Sequence, residues 1–138
     1  MPEPLSMLCV DDEVHILNVI RRQLFDIDIE IYTALSAKEG LALLPSLRPV
    51  QIILSDYRMP GMNGIDFLEE AAEINPSAFC IILSGYADIN TAKQSLEDRK
   101  IHAFLRKPWS AKDLQKAIAQ AMSLPKTDLT ESPTTGES

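Results

Sequence analysis

Ile52-Ile53-Leu54-Ser55-Asp56-Tyr57-Arg58-Met59-Pro60-Gly61-Met62-Asn63-Gly64 is the stretch that decides the fold. An apolar run stops on an acid, and Pro60 and Gly61 then turn the chain. A run without polar alternation fits a short strand covered on both faces. Asn63-Gly64-Ile65-Asp66 reads as a helix start, with Phe67, Leu68, Ala71, Ala72 and Ile74 on the apolar side, and Asn75-Pro76 stops it. The segment is therefore a strand, a turn and a helix, with one carboxylate at the strand's tip. Asp56 is either an ordinary loop acid or a group that is chemically used.

The same unit recurs on both sides. Residues 5–10 are a short apolar run, followed by Val14, Leu17, Ile20 and Leu24 at helical spacing. Residues 29–34 read as a second strand. Ser36-Ala37-Lys38-Glu39 has the form of a capping box, and Leu41, Leu44 and Leu47 follow on a helix. Residues 79–83 are a fourth strand, with Asp88 or Asn90 opening a helix that turns Ile89, Ala92 and Leu96 inward. Residues 101–106 are a fifth strand, and Ser110-Ala111-Lys112-Asp113 caps a last helix carrying Leu114, Ala117, Ile118 and Ala121. Five strand-helix units predict an α/β fold: a doubly wound, five-stranded parallel sheet. Such a sheet has a crevice beyond the carboxyl ends of its strands.

Composition is that of an ordinary globular domain, with 46% apolar and 24% charged residues in 138. The net charge of −7 disfavours direct nucleic-acid binding. Cys9 and Cys80 each sit inside an apolar run and read as buried small hydrophobes, not as a disulfide. No segment reaches the roughly 18 apolar residues of a membrane span. The unpaired cysteines fit a cytoplasmic location, no membrane partner is expected, and the N-terminus lacks the basic patch and apolar core of a secretory signal. His15 reads as an exposed helix residue and His102 as a strand residue, neither at zinc-ligand spacing. From Ser123 the chain turns polar and rich in Pro, Thr and Ser. Residues 1–122 are thus the expected domain, and 123–138 a flexible tail or the start of a linker.

The strand ends carry the chemistry. They read as Asp11-Asp12, Asp56, Ser84 and Lys107-Pro108, spaced by 44, 28 and 23 residues from Asp12 onward. Each alone has a bland explanation; Asp11-Asp12, for example, suits a helix N-terminus. Together they place three carboxylates, a hydroxyl and an ammonium in one crevice. Three such acids repel unless a cation lies among them, and oxygen ligands suit a hard ion such as Mg²⁺. Lys107 and Ser84 are then left to address an anion, and Asp56 could attack phosphorus to form an acyl phosphate.

These residues resemble the receiver domain of two-component response regulators over roughly residues 5–122. The motifs are Val10-Asp11-Asp12, Asp56-x-x-Met59-Pro60-x-x-Asn63-Gly64, Leu83-Ser84-Gly85 and Lys107-Pro108. The resemblance implies a flavodoxin-like sheet in strand order 2-1-3-4-5. It implies that Asp56 accepts a phosphoryl group from a histidine kinase or a histidine phosphotransfer protein. Mg²⁺ (or Mn²⁺) would be bound by Asp12, Asp56 and the backbone carbonyl of Arg58, with Asp11 acting through water. Lys107 would pair with Asp56 or its phosphoryl group, across a cis Lys107-Pro108 bond. Ser84 and Phe104 would be the switch pair, remodelling the helix 4-strand 5-helix 5 face toward a downstream effector or a second copy. Arg58 and Tyr86 would tune the lifetime of the phosphoryl group by shaping water access. Trp109 stands where Phe is commoner and reads as packing at the last helix.

Two other readings compete. A phosphatase with an Asp nucleophile would carry a second acid two residues on, where this chain has Arg58. A receiver-like interaction module that works unphosphorylated would not need the intact set of acids and lysine.

Overall fold

The computed structural model describes residues 5–123. Five strands and five helices alternate: β1 (Leu5–Val10), α1 (Val14–Gln23), β2 (Ile29–Ala34), α2 (Ala37–Leu43), β3 (Ile52–Asp56), α3 (Gly64–Ile74), β4 (Phe79–Ser84), α4 (Ile89–Glu97), β5 (Ala103–Arg106) and α5 (Ala111–Met122). All pairings are parallel and the order is β2-β1-β3-β4-β5, as expected.

The apolar runs explain the layering. Successive strand residues face opposite ways, so one continuous run feeds two cores. Leu8, Val10, Ile53, Cys80 and Ile82 join Phe67, Leu68, Ala71 and Ala92 under α2, α3 and α4. Met7, Cys9, Ile52, Leu54, Ile81 and Leu83 join Leu17, Ile20, Leu114 and Ile118 under α1 and α5. Cys9 and Cys80 are free, buried, and divided between these two cores. Burial pushes both thiols up to about 12, which keeps them inert.

Register sets the site. Val10 lies beside Ser55, so Asp11 comes level with Asp56. Asp56 lies beside Leu83 and Ser84 beside Arg106, which puts Ser84 and then Lys107 just beyond Asp56. Asp11 and Asp12 follow β1 and do not end it; Asp56 and Ser84 are the last residues of their strands.

Several local expectations need correction. The second helix stops at Leu43 and gives way to a 3-10 turn at Leu44–Ser46, because Pro45 has no amide hydrogen to continue the ladder. Ser36 accepts the Glu39 amide at 3.0 Å, but the Glu39 carboxylate takes the Leu35 amide at 2.5 Å, so the box is shifted by one residue. Ser110 and Asp113 form a full reciprocal box, each contact at 3.1 Å. Val14, Ile74 and Leu96 are exposed, not inward, since each lies at or near a helix end. Ser95 occupies the buried place expected of Leu96. β5 begins at Ala103; His102 precedes it and accepts the Cys80 amide on Nδ1 at 2.9 Å, stacked on Phe79. Trp109 donates its indole N–H to Gln23 Oε1 at 2.7 Å, which ties the start of α5 to the end of α1. Of the expected tail, residues 124–138 lie outside the described residues.

Candidate phosphoacceptor site

Asp56 is held from three directions. Its own strand ends there, with the next amide, Tyr57 N–H, donating to the Leu83 carbonyl at 3.0 Å. Behind it, Gly64 N–H donates to the Tyr57 carbonyl at 2.8 Å, which presses the start of α3 against the strand tip. Only glycine permits this approach, because a Cβ on Gly64 would lie 2.2 Å from the Asp56 carbonyl oxygen. Asn63 closes the same helix end by accepting the Asp66 amide at 2.9 Å. In front, Lys107 Nζ reaches Asp56 Oδ1 at 2.6 Å. The Lys107-Pro108 bond is cis.

Asp11 and Asp12 complete the acidic side. Carboxylate oxygens of Asp11, Asp12 and Asp56 lie within 4.8 Å of one another, with Asp12 exposed and the others buried. Asp11 Oδ1 accepts the Glu13 amide at 2.9 Å, while its buried Oδ2 has no hydrogen-bond partner. Burial pushes the Asp11 carboxyl up to about 6; the Glu13 amide opposes this and the Asp56 charge adds to it. Burial also raises Asp56, against the pull of Lys107. A buried carboxylate oxygen without a partner, beside two more acids, is costly as it stands. Three oxygen donors converging on one point fit a hard divalent cation. Asp11, Asp12 and Asp56 are therefore the residues that could hold Mg²⁺ or Mn²⁺.

The remaining expected residues divide. Ser84 is fully buried, and its hydroxyl donates to the Gly85 carbonyl at 3.2 Å. Phe104 is half-buried and packs on the α3–α4 side of the sheet, beside Ile82 in register. Tyr86 is 83% exposed. Arg58 carries a contact that sequence reasoning missed: its guanidinium forks onto Asp88, Nε to Oδ2 at 2.7 Å and Nη2 to Oδ1 at 3.0 Å. No periodicity links two loop residues 30 positions apart, so no sequence signal announces this pair. The close approach at Gly64 had a sequence signal, the Asn-Gly at the helix start, whereas its cause, the nearby Asp56 carbonyl, is tertiary. His15 and His102 lie in no metal-holding group among the described residues.

Comparison with known proteins agrees with this geometry. The response regulator receiver domain family matches residues 7–119. The hydrogenase transcriptional regulatory protein HoxA of Cupriavidus necator is 37% identical over 117 residues, covering 85% of this chain and 24% of that protein. The transcriptional regulatory protein GlrR of Escherichia coli is 31% identical, covering 91% of this chain and 28% of that protein. This chain thus spans about a quarter of the length of these relatives. A response regulator receiver domain protein from Clostridium thermocellum superposes with a TM-score of 0.81 at 32% identity, covering 92% of this chain and 99% of that one. With fold, strand-end residues and relatives in agreement, the chain belongs to the response regulator receiver domain family.

Proposed function

We propose that this domain receives a phosphoryl group on Asp56 from a phosphohistidine donor, a histidine kinase or a histidine phosphotransfer protein. The observation that carries the reading is the Asp56 carboxylate, buried, 2.6 Å from Lys107 and grouped with two further acids. One carboxylate oxygen of Asp56 attacks phosphorus. The bond between phosphorus and the donor imidazole breaks, and its electron pair leaves with the imidazole nitrogen. Asp12, Asp56 and the Arg58 carbonyl would hold a divalent cation, with Asp11 acting through water, and that ion would supply charge neutralisation for the phosphoryl oxygens. Lys107 contributes a second positive charge at the same place. The lifetime of the acyl phosphate is set by water access past Arg58 and Tyr86.

The readout is conformational. A phosphoryl oxygen is a stronger acceptor than the Gly85 carbonyl, so Ser84 turns toward Asp56. Phe104 fills the space this leaves, and the surface made by α4, β5 and α5 changes for a downstream effector or a second copy. The domain is regulatory and catalyses only its own phosphorylation and dephosphorylation. We place it in the bacterial cytoplasm, without direct contact to nucleic acid or membrane; no described helix is long and apolar enough to cross one.

Acetyl phosphate with Mg²⁺ tests the assignment. Intact mass should rise by one phosphoryl group, and Asp56→Asn should abolish the gain. No gain in the unmodified chain would favour an interaction module that works unphosphorylated. A gain surviving Asp56→Asn would move the acceptor elsewhere.

A further inference from the structure

Asp88 stands at the N-cap of α4, where an aspartate normally accepts a backbone amide of the first turn, yet it makes no side-chain cap bond. A 3-10 turn at Tyr86–Asp88 runs directly into α4, leaving Asp88 at φ −110°, ψ 11°, outside the extended backbone of a capping residue. Its carboxylate is instead occupied by Arg58 through both forks at 2.7 and 3.0 Å. The Asp88 side chain is 10% exposed and that of Arg58 is 72% exposed. One acid thus has two competing partners, the Arg58 guanidinium and the α4 amides. The loop it anchors begins at Gly85, whose carbonyl accepts the hydroxyl of Ser84 at the end of β4, a bond that must open if Ser84 is to reach a phosphoryl group.

We propose that Asp88 is a positioning residue whose bidentate pair with Arg58 latches the loop between β4 and α4 in its unphosphorylated arrangement. Releasing the pair frees the Asp88 carboxylate to cap α4 and lets Ser84 move toward Asp56. The two states exchange one set of hydrogen bonds for another, which is what a bistable element requires. The latch's effect on phosphorylation rests on the phosphoacceptor reading above, but its existence does not.

The test uses Asp88→Asn, which breaks the ion pair and retains a good cap, and Arg58→Gln, which breaks it from the other side. In the unphosphorylated protein, both variants should shift the same backbone amide resonances from Ser84 through Ala92. Changes confined to the immediate neighbours of each substituted residue would overturn the latch, whatever happens with phosphate. With acetyl phosphate and Mg²⁺, Asp88→Asn should be phosphorylated about threefold faster, in the upper range of what solvent-facing ion pairs contribute. The double variant should be no faster than the quicker single variant, and Arg58→Asp/Asp88→Arg should return toward the original rate. Multiplying single effects in the double variant would also overturn it. Absence of phosphorylation in the unmodified chain would instead defeat the phosphoacceptor reading and leave the resonance test to decide the latch.

Discussion

The two edges of the sheet are built from the same strands by opposite rules. At the amino edge, polar groups are matched. Gln51 Oε1 accepts both the amide and the hydroxyl of Ser6, at 2.7 and 2.8 Å. Asn75 Nδ2 donates to the Val50 carbonyl at 2.8 Å, and His102 Nδ1 accepts the Cys80 amide. At the carboxyl edge, three acids crowd together, Asp11 Oδ2 is buried without a partner, and Lys107 reaches Asp56. One edge is satisfied by the protein alone. The other leaves a buried carboxylate oxygen unmatched among three acids, and under the proposed function a cation and a phosphoryl group would complete it.

The largest effect should come from closing the gap behind Asp56. Gly64→Ala forces a methyl against the Asp56 carbonyl and should cost about 3 kcal/mol in urea unfolding, with loss of phosphorylation. Gly85→Ala is its control on the same edge, because nothing lies within 4 Å of the added methyl. Equal costs at the two glycines would remove the close approach as the cause.

Next in size is the pH response of the acids. With Asp11 raised to about 6, the folded state holds a proton that the unfolded chain releases at an ordinary carboxylate pKa. The unfolded chain therefore binds fewer protons between about pH 4 and 6, and stability falls as pH rises through that window. A shift of this size is worth on the order of 3 kcal/mol in the presence of a chelator. Asp11→Asn should flatten the dependence, and saturating Mg²⁺ should restore stability at neutral pH in the unmodified chain. A flat profile without cation would mean that the carboxyl edge is balanced as it stands.

The amino edge responds the other way, to loss and not to gain. Asn75→Ala leaves the buried Val50 carbonyl without its donor and should cost about 2 kcal/mol, independent of pH and of Mg²⁺. Cation-dependent destabilisation in this variant would break the separation between the edges.

What could be read in the chain follows from the same physics. The strands were legible because both faces are buried, which leaves uninterrupted runs such as Phe79-Cys80-Ile81-Ile82-Leu83. The acids and Lys107 were legible because a parallel sheet brings every strand's carboxyl end to one edge, so position along the strand is position in the site. Boundaries were less clear. Ile101 is buried and reads as strand, yet it precedes the ladder. Pro45 converts the end of a helical pattern into a 3-10 turn. The pair of Arg58 with Asp88 was out of reach, because two loops meet through tertiary packing that no local spacing encodes.

The smallest effect concerns Tyr86, and it separates shielding from mere proximity. A bulky side chain two residues past Ser84 should slow hydrolysis only if it covers the proposed acyl phosphate. At 83% exposure the ring lies open to solvent. If Ser84 moves as proposed, shielding requires the loop between β4 and α4 to carry the ring inward with it, and its benefit is limited by how long that arrangement lasts. Tyr86→Ala should shorten the half-life of phosphorylated protein by about twofold, equivalent to ~0.4 kcal/mol in the barrier. The rate of phosphorylation should not change, since the open ring obstructs nothing before the transfer. An unchanged half-life would assign water access to Arg58 and the loop backbone alone. A slower phosphorylation would mean that the ring already touches the entry path, and the carboxyl edge would then be less open than the exposure of Tyr86 implies.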